Sequence, residues 1–193
     1  MGNKDGSLRF AVGWAGRADK VMRVSVIMVM ALLALGASGA IAQNKVDGEG
    51  VVRGEVTNLP LPRYVSLKTN EGNARRGPGL THRIDWVFSR AGMPLRITAE
   101  YENWRRIEDA EGAGGWVHYS LLSGTRTALV AADMLDLRAT PLLESTVVLR
   151  AEAGVIARIL ECRPDWCRLS IADEKGWAQK SDLWGVDPGE SFD

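Results

Sequence analysis

The feature that most narrows the possible folds is a hairpin that occurs twice. Its first copy runs Asn103-Trp104-Arg105-Arg106-Ile107, through an acidic, glycine-rich turn, to Gly114-Gly115-Trp116-Val117. The second runs Asp165-Trp166-Cys167-Arg168-Leu169, through Asp173-Glu174-Lys175, to Gly176-Trp177-Ala178. Each copy is a strand opened by Trp, a polar turn, and a strand opened by Gly-Trp. Aligning the tryptophans brings the flanking segments into register with single-residue gaps. Asn73-Ala74-Arg75-Arg76-Gly77-Pro78 meets Asp136-Leu137-Arg138-Ala139-Thr140-Pro141. Leu95-Arg96-Ile97 meets Ala157-Arg158-Ile159, and Leu122 meets Leu183. The repeat has the size of a small domain, not of a solenoid unit.

Short alternating segments such as Leu95-Arg96-Ile97-Thr98, separated by Gly, Asn and Asp turns, predict strands of about five residues in a barrel or sandwich. The chain is therefore predicted all-β, as two tandem small barrels over residues 62–125 and 126–187 with a tail at 188–193. A unit of about 60 residues buries only about 60% of its unfolded surface. Two such units are expected to pack on each other or to be reinforced covalently.

The first 42 residues read as an export signal. Arg17, Lys20 and Arg23 precede the apolar run Val24 to Leu35, and Ala40-Ile41-Ala42 forms a small-x-small cleavage site. The run is shorter than the roughly 20 apolar residues a membrane span needs. Cleavage is expected after Ala42, and contact with a membrane only through this segment if it stays uncleaved. Met22 is an alternative start. Residues 43–61 lack apolar periodicity and contain Asp47-Gly48-Glu49-Gly50, which predicts a flexible tether.

The only cysteines, Cys162 and Cys167, flank the turn Arg163-Pro164-Asp165-Trp166. Facing residues of an antiparallel pair stand about 4.5–5.5 Å apart, within the reach of a disulfide. An exported chain meets an oxidising compartment. A disulfide stapling this hairpin is expected. Two cysteines and two distant histidines are too few for a metal site, and the spacing is not the Cys-x-x-Cys of a redox pair.

These residues resemble the bacterial SH3 (SH3b) domain family, twice over. The marks in the first unit are Leu61-Pro62-Arg63-x-Val65-Ser66-Leu67, Asn73-x-Arg75-x-Gly77-Pro78-Gly79, Asn103-Trp104-Arg105-Arg106-Ile107, Gly115-Trp116-Val117-His118 and Ser120-Leu121-Leu122-Ser123-Gly124. The second unit resembles a partner repeat, with Trp166-Cys167-Arg168 and Leu183-Trp184-Gly185, but has Ala139-Thr140-Pro141 in place of Gly-Pro-Gly. The resemblance covers about two-thirds of the chain. It implies small five- to six-stranded barrels, export to the periplasm or cell exterior, and binding of peptides, cell-wall stem peptides or envelope proteins. It implies no catalysis.

Trp116 and Trp177 are expected to fill barrel cores, because an indole buries a large area. Trp104 and Trp166 stand between core and groove; the resemblance places a Trp after this turn in the ligand groove. A half-exposed indole is a good peptide contact. Trp86 and Phe88 either cover the barrel's open side or touch ligand, and Tyr101 sits at a turn where a large apolar group must pack or bind. Trp86, Tyr101, Trp104 and Trp166 are thus the candidate ligand-binding residues. Arg75, Arg76, Arg105 and Arg106 read as solvated or paired with acids such as Glu100 and Glu102.

Twenty-four basic and 24 acidic residues cancel, which gives no reason to expect nucleic-acid binding. Residues 62–125 carry nine basic and seven acidic residues, and residues 126–193 eight and 12. His82 and His118, the only histidines, have no nucleophile elbow, cysteine partner or metal spacing beside them. No enzyme, cofactor or metal is expected. The predicted protein is a monomeric, non-catalytic binding module of the cell envelope, taking a peptide or peptidoglycan-derived ligand in an SH3-like groove. The alternative is an accessory subunit whose aromatic faces are consumed by a fixed envelope-protein partner.

Overall fold

The computed structural model describes residues 45–46 and 50–193. The predicted export signal lies outside the described residues. A two-stranded ladder, β1 (Lys45–Val46) with β2 (Val52–Arg53), precedes two seven-stranded sheets. The first sheet contains β3 (Arg63–Leu67), β4 (Gly72–Arg75), β5 (Ile84–Phe88), β6 (Pro94–Tyr101), β7 (Trp104–Glu108), β8 (Gly114–His118) and β9 (Leu122–Ser123). The second contains β10 (Thr127–Val130), β11 (Met134–Arg138), β12 (Val147–Glu152), β13 (Ile156–Cys162), β14 (Trp166–Ile171), β15 (Glu174–Gln179) and β16 (Leu183–Trp184). Their orders, β5-β4-β8-β7-β6-β3-β9 and β12-β11-β15-β14-β13-β10-β16, are the same walk through the sheet. The fold is all-β, two tandem SH3-like barrels. No described helix is long and apolar enough to cross a membrane.

Alternation sets the two faces of each sheet. In the first barrel Leu67, Ala74, Leu95, Ile97, Ile107 and Val117 point inward and form the core with Phe88. In the second, Val130, Leu135, Leu137, Ile159, Leu169 and Ala178 do so. The Gly-Trp signature has a steric origin. Gly115 has φ +153°, and a Cβ there would sit 2.6 Å from the carbonyl oxygen of Arg75. Glycine thus lets β8 close against β4, where Arg75 pairs with Trp116. The second barrel repeats the closure with Arg138 opposite Trp177.

The barrels touch where β3 and the loop before β6 meet β16, Arg126, Thr127 and Gly154. Tyr64 meets Trp184 edge-on at 5.4 Å between ring centroids, and the Arg126 guanidinium lies over the Tyr64 ring at 5.6 Å. Thr127 Oγ1 donates to the Gly92 carbonyl and Arg90 Nη2 to that of Gly154, each at 2.8 Å.

Over its described residues, 45–46 and 50–61, the tether predicted for residues 43–61 is structured. β1 pairs with β2, the Leu61 N–H donates to Val52 O at 2.8 Å, and Leu61 is buried in the first core. What the sequence does not reveal is the anchor, Glu100, 43 residues from Thr57. Nor do residues 188–193 trail as a tail. Phe192 exchanges backbone hydrogen bonds with Cys162, and Glu190 forms an ion pair with Arg126. Each barrel therefore carries an extra segment: a strap of residues 50–61 on the first, a C-terminal cap of residues 186–193 on the second.

Candidate functional site

The turn from β6 to β7 has two residues, Glu102 and Asn103, with Glu102 at φ +44°. Tyr101 and Trp104 are therefore directly opposite each other, and Trp104 is in turn opposite His118 on β8. Facing residues of a ladder share one side of the sheet. Ile107 and Val117 fix the inner side, so this row of Tyr101, Trp104 and His118 lies on the outer one. The Trp104 and His118 rings meet edge-on at 5.6 Å, and His118 lies 4.9 Å from Tyr119 at a tilt of 38°. Tyr119 opens the short 3-10 turn Tyr119–Leu121, which is tied to the neighbouring loop by its N–H donating to the Asn103 carbonyl. Ser120 Oγ lies 2.8 Å from His118 Nδ1 and fixes the imidazole. The result is an aromatic shelf with Trp104 as its floor and Tyr119 as its open rim.

The predicted residues divide on these facts. Tyr101 and Trp104 are brought together. Trp104 is only 8% exposed, meets the His118 ring, and is not a member of the core cluster. Trp86, 46% exposed, lies on β5, three strand positions from β7, and meets Phe88 edge-on at 6.4 Å. Phe88 is a core residue. Trp166 is half-buried in the second barrel opposite Gln179, away from the first shelf. The roles expected of the Gly-Trp tryptophans also change. Trp116 is half-exposed on the outer side, because Val117 takes the inward position. Trp177 is buried, but beneath the Arg163 guanidinium at 4.5 Å instead of in the core cluster. His118 and Tyr119, not among the candidate residues named from the sequence, join this surface. For His118 the signal was the alternation Trp116-Val117-His118, which puts it on the face of Trp116; Tyr119 lies past the strand, in the 3-10 turn.

Below the shelf, at the ladder position Glu100–Arg105, sits a buried carboxylate. Glu100 is wholly buried and accepts from Val56 N at 3.1 Å, Thr57 N at 2.8 Å, Thr57 Oγ1 at 2.7 Å and Arg63 Nη2 at 2.6 Å. Arg105 Nε stands 3.4 Å away. Burial pushes the Glu100 carboxyl up, but the Thr57 hydrogen bonds and the Arg63 charge overcome it and hold the group below the ordinary glutamate range. Gly54 leaves room, since a Cβ there would lie 2.3 Å from that carboxyl group. At the same ladder position in the second barrel Cys162 faces Cys167, and they form the expected disulfide.

The second barrel has no open shelf. The residues matching His118 and Tyr119 are Gln179 and Lys180. Lys180 is buried and its ammonium donates to the carbonyls of Asp187 and Glu190 in the cap. Among the described residues, no group of His, Cys, Asp and Glu is arranged to hold a metal ion.

A family model described as a bacterial SH3 domain matches residues 68–124 and again 131–185. No curated protein matches the chain in sequence. Among solved structures it is similar to NlpC2 from Trichomonas vaginalis, at 15% identity and a TM-score of 0.30, over 65% of this chain and 50% of that one. NlpC1 from the same organism aligns at 16% identity and a TM-score of 0.30, over 63% of this chain and 45% of that one. An NlpC/P60 family protein from Bacillus cereus ATCC 10987 aligns at 10% identity and a TM-score of 0.29, over 65% of this chain and 57% of that one. The chain thus spans about half the length of these structures, and likeness at this level carries no argument about activity.

Proposed function

From the premise that the chain belongs to the bacterial SH3 domain family, we propose that it is a non-catalytic binding module of the cell envelope that takes a peptide or a peptidoglycan-derived ligand on the first barrel. The observation that supports this reading is the aromatic row Tyr101, Trp104, His118 and Tyr119 on the outer side of β6–β8, with Tyr119 51% exposed. Rigid aromatic groups give large contact area at low entropic cost. The matching surface of the second barrel is tied to its own cap through Lys180, which favours one binding barrel and one scaffold barrel. The same reading places the protein outside the cytoplasm, as a monomer, without cofactor.

The test is a pull-down of residues 43–193 on purified peptidoglycan sacculi, beside Tyr119→Ala. Tyr119 is the better probe than Trp104, because it is 51% exposed and its loss is expected to leave the fold intact. Retention of the protein, lost in the variant, is the expected result. Equal retention of both would refute the shelf. No retention of either would favour the accessory-subunit reading, in which a fixed envelope protein covers the shelf.

A further inference from the structure

One ladder step from the shelf, the outer side of the first barrel changes character. The pair next to Trp104–His118 on the same face is Arg106–Trp116, about 7 Å further along the strands. There the surface sinks into a pocket of about 400 Å³ lined by Arg75, Arg76, Asp85, Arg106, Glu108 and Trp116, above glycines of the β7–β8 hairpin. Most of its charges are spent. Arg75 Nη1 braces the loop by donating to the carbonyls of Leu80 and His82. Asp85 is shared between Arg76 and Arg83, and those hydrogen bonds hold its carboxyl below the ordinary range. Glu108 is engaged by Arg96. Arg106 alone of the lining arginines has no carboxylate or carbonyl partner among the described residues, and its side chain is exposed beside a half-exposed indole.

The second barrel shows that this pocket is not a by-product of the fold. Arg106 and Trp116 recur there as Arg168 and Trp177, but Arg76 becomes Ala139 and Gly114 becomes Lys175. Trp177 is closed off under Arg163. The open cationic form belongs to the first barrel only, the one whose aromatic shelf is also open.

We propose that the Arg106–Trp116 pocket is a carboxylate subsite. It seats the free C-terminal carboxylate of a peptide ligand whose preceding residues lie on the Tyr101–Trp104–His118–Tyr119 shelf. Arg106 supplies the unpaired guanidinium, which matches a carboxylate through two parallel N–H donors. Arg76, sharing one carboxylate with Arg83, adds positive potential. Trp116 walls the site and excludes water on one side, which strengthens the ion pair. The glycine floor keeps side chains out. This inference deepens the proposed function and rests on the outer side of the first barrel being the ligand surface.

The experiment titrates N-acetyl-dialanine, its C-terminal amide and inorganic phosphate into residues 43–193, read by tryptophan fluorescence. Arg106→Gln and Tyr119→Ala are run in parallel, with thermal melts as a check on folding. The expected result is binding of the acid, at least roughly tenfold weaker binding of the amide, and a similar loss in Arg106→Gln at unchanged melting temperature. Equal binding of acid and amide, or an unaltered Arg106→Gln, overturns the subsite. Phosphate binding as well as the acid does overturns its assignment to a peptide carboxylate. The subsite can fail separately from the function: sacculus binding lost in Tyr119→Ala but kept in Arg106→Gln refutes only the pocket.

Discussion

Replacing Glu100 by Gln tests the account of the first barrel most severely. The side chain keeps its size and loses its charge in a wholly buried position. Arg63 and Arg105 then face a neutral amide, and one of its two polar ends presents N–H donors to groups that also donate. The N–H groups of Val56 and Thr57 lose a shared acceptor oxygen or keep it at the expense of Arg63. Removing one partner of a buried ion pair costs about 3–5 kcal/mol. For a chain of this size each kcal/mol moves the melting temperature by about 2–4 °C, so the variant should melt about 6–20 °C lower. The assay is a thermal melt at pH 7 with limited trypsin digestion at 25 °C, following cleavage after Arg53 by mass spectrometry. Strap release should speed that cut in the variant. Glu100→Cys combined with Arg105→Cys should form the cross-link seen at Cys162–Cys167 and regain part of the melting temperature. It should leave the cut after Arg53 fast, since the strap still lacks its acceptor. A Glu100→Gln protein melting within 2 °C of the parent, with unchanged cleavage, would refute the claim that this carboxylate holds the strap.

The remaining expectations are simpler to check. Reducing Cys162–Cys167, or replacing both with Ala, should cost about 2 kcal/mol, visible as a drop of about 4–8 °C in the melt. Gly115→Ala forces a Cβ against the Arg75 carbonyl and should destabilise by at least about 1–3 kcal/mol in chemical denaturation. The carboxyls of Glu100 and Glu190 are both held below their ordinary range, Glu190 because Arg126 outweighs the upward push of burial. Depressed carboxyls contribute stability that is complete above the unfolded value of about 4.3 and is lost as pH falls through the folded one. Strap and cap should therefore loosen together below about pH 4, seen as faster amide exchange at residues 52–61 and 186–193, while the barrel cores stay protected. Tyr119→Ala should leave the melting temperature within about 2 °C, because an exposed substitution away from caps and cores costs little.

The barrels were legible because their information is local and doubled. Strand, turn and Gly-Trp order repeat, and the Cys162–Cys167 spacing marks one cross-strand pair outright. The shelf was half legible: Tyr101 and Trp104 flank a two-residue turn, and a turn fixes which residues face each other. Bulk alone does not set the phase of the tryptophans. Val117 is the inward residue of its strand, so Trp116 has to face out, and Trp104 meets His118 on the outer side. The strap and cap were not legible at all. Their partners lie at Glu100 for Thr57 and at Arg126 for Glu190, and hydrogen bonds across such separations leave no periodicity in either segment.

The strap and cap bear on how this protein can be divided. The segments that match the family model, 68–124 and 131–185, each stop short of a strand their own sheet requires: β3 in the first barrel and β10 in the second. The first also omits Thr57 and Arg63, which hold Glu100, and the second omits both members of the Arg126–Glu190 pair. A graft or fusion cut at those limits would expose a sheet edge and strip the buried Glu100 of Thr57 and Arg63, leaving Arg105 as its remaining cation. The segments that carry each barrel with all its strands and its closing segment are residues 50–124 and 126–193. Anyone borrowing the first barrel as a recognition element has to carry its strap along with it.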